Sequence, residues 1–349
     1  MSFQVAIVGA GRMGRLHARV LSEMPGTQLV GVVDVNPAAA RSLATQRDCL
    51  GVTDARELLD KVNAAIIAVP TVHHVAAAWP FVEAGKDVLI EKPLADDLAA
   101  ARKLIDLARR TGSRVQVGHT ERFNPAVVAL GKHHIQPKFI EANRISPFTF
   151  RSADVGVVLD MMIHDLDLVL MLVRSPVVSV EAVGINVIGA HEDICNARLT
   201  FASGCVANVT ASRLAVKTER KMRIFSEQAY LSVDYGLKVG MVITKDANLD
   251  LVQMARDLKA ADLGELAASM DYTKLLHVEQ LVVDDSIEPL RRQAEAFRQT
   301  VENGALPVVS AADGLAAVEL AHQVVEAMKR HRWDGVASSR EGLDVIRRP

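Results

Sequence analysis

A chain of 349 residues is long enough for two domains, each with its own core. Half of the residues are hydrophobic and 23% are charged, with a net charge of -2, a balance that gives no reason to expect a nucleic-acid partner. The most apolar long window, 155–173, carries Asp160, His164, Asp165 and Asp167, too many ionisable groups for an uncommitted membrane span.

The chain opens on an apolar run, FQVAIV at 3–8, which breaks into GAGRMG: Gly9, Ala10, Gly11, Arg12, Met13 and Gly14. A helical pattern through Leu16, His17, Val20 and Leu21 follows, and a second apolar run ends at Asp34. Strand, glycine turn, helix, strand and terminal acid together make the dinucleotide fingerprint. Gly9 permits the sharp turn, Gly11 leaves the pyrophosphate room to approach the amides, and Gly14 brings helix and strand together. Asp34 is expected to accept from the adenosine ribose hydroxyls, and Val35, Asn36 and Pro37 offer no cation for a 2'-phosphate, so NAD is favoured over NADP. No targeting segment is read before the first strand, and a cytoplasmic location is expected. Cys49, Cys195 and Cys205 lack metal-ligand spacing and read as small hydrophobes in a reducing compartment.

A helix is expected over 38–46, a short segment at 49–52, a helix-like DARELLDKV, and a strand AAIIA at 64–68. Next come a helix in HVAAAWPFVEAG, a buried strand DVLIE at 87–91 ending in Lys92 and Pro93, an amphipathic helix over 96–111 and a strand at 114–118. Six strands interleaved with helices predict an α/β Rossmann domain, a doubly wound parallel sheet, over 1–120. Residues 121–349 predict an α+β domain with an open, predominantly antiparallel sheet. Its strands are KFIEANRI, VVSVEAVGINVIG, ICNARLTFASG, CVANVTASR, KMRIFSEQAYLSVDYG and KVGMVITK, with helices over the 160–173 stretch, 288–304 and 311–332. The 250–271 stretch reads as a possible helix followed by a loop.

Asp160, His164 and Asp167 stand at offsets of 0, 4 and 7, which places them on one face of a helix. A carboxylate beside an imidazole orients it and raises its pKa, as suits a general base; a solvated face or an internal hydrogen-bond network is the plainer alternative. No second cluster selects a metal, and none is expected. Lys92 follows a buried parallel strand, at the end where ligands of such sheets collect, and its cation could hydrogen-bond a substrate hydroxyl.

The chain resembles the glucose-fructose oxidoreductase / inositol dehydrogenase / rhizopine catabolism (Gfo/Idh/MocA) family over nearly its full length. The likeness rests on GAGRMG with Asp34, AVPTVHH at 68–74, AGKDVLIEKPL at 84–94, VGHTERFNP at 117–125, the Asp160/His164/Asp167 helix, EPLRRQAEAF and ADGLAAVELA. What it implies is an NAD-dependent sugar oxidoreductase in which Lys92 contacts the reacting hydroxyl, His164 is the acid/base and Asp160 assists orientation. Pro70, Thr71, His74, Glu91 and Lys92 would line the nicotinamide side, and Arg122 would join the cofactor contacts. A homodimer or homotetramer built on the open sheet is implied as well. The family often has a glycine two residues after the aspartate, where this chain has Met162, a change expected to reshape the pocket. The QVGHTERFNPA and LDMMIHDLDLVL stretches resemble family members that oxidise C3 of UDP-N-acetylglucosamine. A diphosphate substrate needs further cations, for which Arg144, Arg151, Arg213, Lys217 and Arg220 are available. A free sugar or inositol-like polyol is the alternative substrate, and a non-catalytic dinucleotide-binding regulator is the third reading.

Overall fold

The computed structural model describes residues 3–133, 135–149, 155–188, 190–245 and 276–333. The first half builds a six-stranded parallel sheet in the order β3-β2-β1-β4-β5-β6, from Phe3–Val8 (β1), Thr27–Val33 (β2), Leu50–Val52 (β3), Ala64–Ile67 (β4), Asp87–Glu91 (β5) and Val115–Gly118 (β6). Parallel strands need crossovers, and these are the helices Arg12–Glu23 (α1), Pro37–Gln46 (α2), His74–Glu83 (α3) and Leu98–Thr111 (α4). The strands are mostly apolar because helices cover both faces, and β4 and β5 are buried at every position. The helix expected over 38–46 is α2, opened by Pro37 with Asn36 as its side-chain cap, whereas the expected helix around DARELLDKV is a 3₁₀ segment, Ala55–Lys61.

After a short helix, Pro125–Leu130 (α5), the second half forms an eight-stranded sheet ordered β14-β13-β12-β11-β7-β10-β9-β8. Its strands are Phe139–Ile145 (β7), Val177–Ile185 (β8), Ile194–Phe201 (β9), Val206–Ser212 (β10), Glu219–Phe225 (β11), Ala229–Asp234 (β12), Val239–Lys245 (β13) and Leu276–Gln280 (β14). Only β7 and β10 pair in parallel, so the sheet is mixed and mostly antiparallel. The KMRIFSEQAYLSVDYG stretch, read as one strand, is a hairpin turning where Ser226 Oγ accepts from the amides of Gln228 and Ala229. The 250–271 stretch lies outside the described residues. One sheet face packs against Ile163–Val173 (α6) and Ala311–Lys329 (α8); on β7 this buries Ile140, Ala142 and Arg144 while Glu141 and Asn143 face outward.

Helix Pro289–Asn303 (α7) returns to the first sheet. Its Leu290, Ala294 and Phe297 join the core formed by Phe3, Val5, Ile7 and Leu21, with Phe297 edge-on to Phe3 at 5.9 Å. The chain thus crosses between the two sheets more than once, and α8 touches α4 and β6 as well as α6 and β8. These crossings hold the two sheets against a common cleft. No helix among the described residues is long and apolar enough to cross a membrane.

Candidate active site

The glycine turn is built as a cradle. Gly9 adopts φ +105°, and a Cβ there would stand 2.6 Å from the Ala68 carbonyl oxygen. A Cβ on Gly14 would lie 1.8 Å from the Gly9 oxygen, so helix and turn touch backbone to backbone. A Cβ on Gly11 would meet nothing within 4 Å, which leaves open space before the unpaired amides that begin α1. Asp34, just past β2, accepts from the Ala10 amide at 2.7 Å and the Asn36 amide at 2.8 Å, and so also braces the turn. This donor set fits a dinucleotide pyrophosphate and ribose.

A cleft of about 720 Å³ opens where β4, β5 and β6 end and the second sheet begins. Arg12, Met13, Pro70, Thr71, His74, Glu91 and Lys92 line it from one side, and Arg144, Asp160, His164 and Arg213 from the other. These are the carboxyl ends of parallel strands, where such sheets bind ligands. Lys92 spans the cleft floor: its Nζ donates to the Asp160 carbonyl at 2.7 Å and to Asp160 Oδ1 at 3.2 Å.

Asp160 sits in a π-helical turn, Val158–Met162, that leads into α6. The extra residue per turn changes the face that Asp160 presents, so the expected Asp160–His164–Asp167 stripe is split among three partners. Asp160 goes to Lys92, and Asp167 is held bidentately by Arg122 at 2.8 and 2.6 Å. His164 is half-buried, lines the cleft, and faces His119 edge-on with ring centroids 6.3 Å apart. The expectation that a carboxylate raises its pKa is reversed. Burial, then the Lys92 and Arg144 cations, hold the imidazole well below its ordinary value.

Arg122, expected among the cofactor contacts, points elsewhere. Its guanidinium is spent on Asp167, with Asp313 at 3.5 Å and the Val308 carbonyl at 3.4 Å, and it does not line the cleft. The His74 ring lies between the carbonyls of Pro93, 2.8 Å from Nδ1, and Val69, 3.0 Å from Nε2, and burial lowers its pKa. Glu91 meets buried His17 at 2.7 Å, a link between α1 and β5 that the sequence reading did not anticipate. Met162, expected to reshape the pocket, is fully buried in the core, and Met161 lines the cleft instead.

Of the cations considered for a diphosphate, Arg144 is buried against Asp165 at 2.7 Å. Arg213 pairs with Asp193 at 2.6 Å and donates to the Val155 carbonyl at 2.7 Å. Arg220 lines the cleft, is exposed, and forms no ion pair among the described residues; Lys217 is not among the lining residues and Arg151 lies outside the described ones. Spacing could not have revealed Glu192, whose buried carboxylate accepts from the Val158 amide at 3.1 Å and caps the π turn. Gly156 makes room for it, since a Cβ there would lie 2.0 Å from Glu192 Oε1.

Comparison with known proteins places the family. The model for the oxidoreductase family with an NAD-binding Rossmann fold (Gfo/Idh/MocA) matches residues 3–119, and that for the Gfo/Idh/MocA C-terminal domain matches 132–232. A UDP-N-acetylglucosamine 3-dehydrogenase of Acidithiobacillus ferrooxidans is 35% identical over 273 residues, covering 74% of this chain and 86% of its own. A solved structure of that name from the same organism superposes with a TM-score of 0.82 at 30% identity, covering 93% of this chain and 96% of the other. An inositol 2-dehydrogenase of Rhizobium meliloti is 26% identical over 355 residues, 97% of this chain and 100% of the relative. The chain belongs to the Gfo/Idh/MocA family and is an NAD-dependent oxidoreductase.

Proposed function

We propose that this enzyme oxidises a secondary hydroxyl of a sugar to a ketone, and that the substrate is UDP-N-acetylglucosamine, reacting at C3. The observation that carries this reading is the convergence of Lys92, Asp160 and His164 on the floor of a cleft shared with the dinucleotide cradle. NAD, when bound by the Gly9–Gly14 turn and Asp34, supplies the hydride acceptor. Lys92, fixed by its two contacts to Asp160, donates to the substrate hydroxyl oxygen and stabilises the negative charge that develops there. His164, neutral at physiological pH, takes the hydroxyl proton. Asp160 holds the ammonium in place and offers its carboxylate to a neighbouring sugar hydroxyl. Arg220, uncompensated at the cleft wall, is the cation for the diphosphate, and Arg144 and Arg213 are braces whose charge is already matched.

Base action needs the uncharged imidazole, and turnover falls as pH drops through the His164 pKa. That pKa is depressed, so the pH profile of kcat is expected to stay flat from neutrality to below about 6.5, the ordinary imidazole value, and to decline only in more acidic solution. An acid limb centred above that value would remove His164 as the base.

Asp34→Ala is expected to weaken NAD binding by about 10- to 100-fold, the worth of charge-assisted hydrogen bonds, as measured by titration of the protein with NAD. Unchanged affinity would remove the carboxylate from the ribose site.

The substrate is tested by a panel of UDP-sugars, free sugars and inositols assayed for NADH by its near-ultraviolet absorbance. UDP-N-acetylglucosamine is expected to give the highest kcat/KM. The second reading, a free polyol, draws on the pairing of both Arg144 and Arg213 with carboxylates, which leaves Arg220 as the unmatched arginine on the second-sheet wall of the cleft, and on the Rhizobium meliloti relative. An inositol at the head of the panel would establish it. We further read the outward face of the second sheet, where Phe139, Phe225 and Tyr230 stack at 5.7 and 4.9 Å, as the surface on which two copies associate.

A further inference from the structure

His119 follows directly on β6 and is fully buried, yet neither of its ring nitrogens has a hydrogen-bond partner among the described residues. The Nδ1 of His164 is buried and unpartnered as well. Three orphaned nitrogens on two rings in edge contact, 6.3 Å between centroids, are too costly to be incidental. The carboxylate of Asp167, fixed by Arg122, stands 3.9 Å from His119 Nδ1.

We propose that His119 is a positioning residue for His164, setting the tautomer in which His164 acts as a base; this rests on the reading of His164 given above. The Asp167 carboxylate favours the proton of His119 on Nδ1, the nitrogen that faces it. His119 Nε2 then carries a lone pair, the acceptor that a donor on the neighbouring ring requires. In this assignment the His164 proton sits on the buried Nδ1, toward that acceptor, and the lone pair of His164 falls on Nε2 of a ring that lines the cleft. Asp167 thus orients His164 through an intervening imidazole, and the carboxylate-to-imidazole coupling expected from offsets in α6 is made across two elements of the fold. The groups that bear on this pair are Lys92 and Glu91 from the β5 end, Arg144 from β7, Arg220 from β11, and Arg122 with Asp167. Burial first, and then the cations among them, oppose protonation of either ring, so both stay neutral and the tautomer is the variable left to set.

The test is the tautomer itself, read from long-range proton–nitrogen correlation spectra of the NAD-bound protein, with His164 assigned by the loss of its signals in His164→Ala. The expected result is a proton on Nδ1 in the wild type, and in His119→Phe a shift toward the Nε2-protonated form that isolated imidazoles favour. His119→Phe is also expected to lower kcat by about tenfold with KM unchanged, the signature of lost general-base alignment and not of lost packing. A wild-type His164 protonated on Nε2 overturns the proposal whether or not the variant folds, and so does a tautomer that is the same in both proteins. The spectra need no substrate, so an error in the sugar assignment leaves the tautomer result unaffected.

Discussion

Lys92→Ala is expected to lower kcat by about 10²- to 10³-fold while leaving NAD affinity within a few-fold of the wild type. In the proposed reaction the lysine acts at the reacting oxygen and not on the dinucleotide phosphates, a role supported by its two contacts to Asp160 on the opposite wall of the cleft. Two effects combine in the loss. The developing oxyanion is left without its donor, and Asp160 loses the cation that holds it. A third consequence separates this account from simple disruption. The Lys92 charge is one of the causes that depress the His164 pKa, so its removal lets that pKa rise and moves the acid limb of the residual activity to higher pH. Steady-state kinetics across pH, with NAD binding followed by fluorescence, measures all three. Loss of NAD affinity in parallel with kcat would place Lys92 in the cofactor site instead.

Arg122→Ala is expected to cost about 3–5 kcal/mol of stability, since it leaves Asp167 charged, buried and unpaired. The arginine side chain is 7% exposed and that of Asp167 1%, so solvent does little to soften the loss. Arg122 also joins the segment after β6 to α6 and to the first turn of α8, through Asp167 and Asp313, so the damage falls where the two sheets meet. Replacing both members with apolar groups, Arg122→Met with Asp167→Leu, is expected to be less harmful than the single change, because no buried charge is stranded. Thermal unfolding of the three proteins measures the order. A single variant as stable as the wild type would contradict the role of a buried tie.

The parts of the molecule that were legible in the sequence are those whose cause is local. The Gly9–Gly14 turn needs glycine for steric reasons that act within a few residues, and β1 to β6 announce themselves as apolar runs because both faces are covered. The helix expected over 38–46, which Pro37 opens as α2, is local in the same sense. Partner choice was not legible. Asp160, His164 and Asp167 carry α-helical spacing, yet a π turn and three separate elements decide that Lys92, His119 and Arg122 are their neighbours. The cleft arginines illustrate the same limit. Composition counts Arg144, Arg213 and Arg220 alike, whereas only the fold neutralises the first two with Asp165 and Asp193. The Glu192 cap on the π turn, across from Gly156, depends on a contact over a distance in sequence that no periodicity records.

The most direct measurement of the proposed reaction is isotopic. UDP-N-acetylglucosamine deuterated at C3 is incubated with the enzyme and NAD, and the reduced cofactor is examined by mass spectrometry and proton spectra. One deuterium per NADH, with a 3-keto sugar nucleotide as co-product, is the expected result. NADH formed without deuterium would move the reaction to another carbon, and no NADH from this substrate, with turnover of a free polyol, would contradict the assignment of a nucleotide sugar.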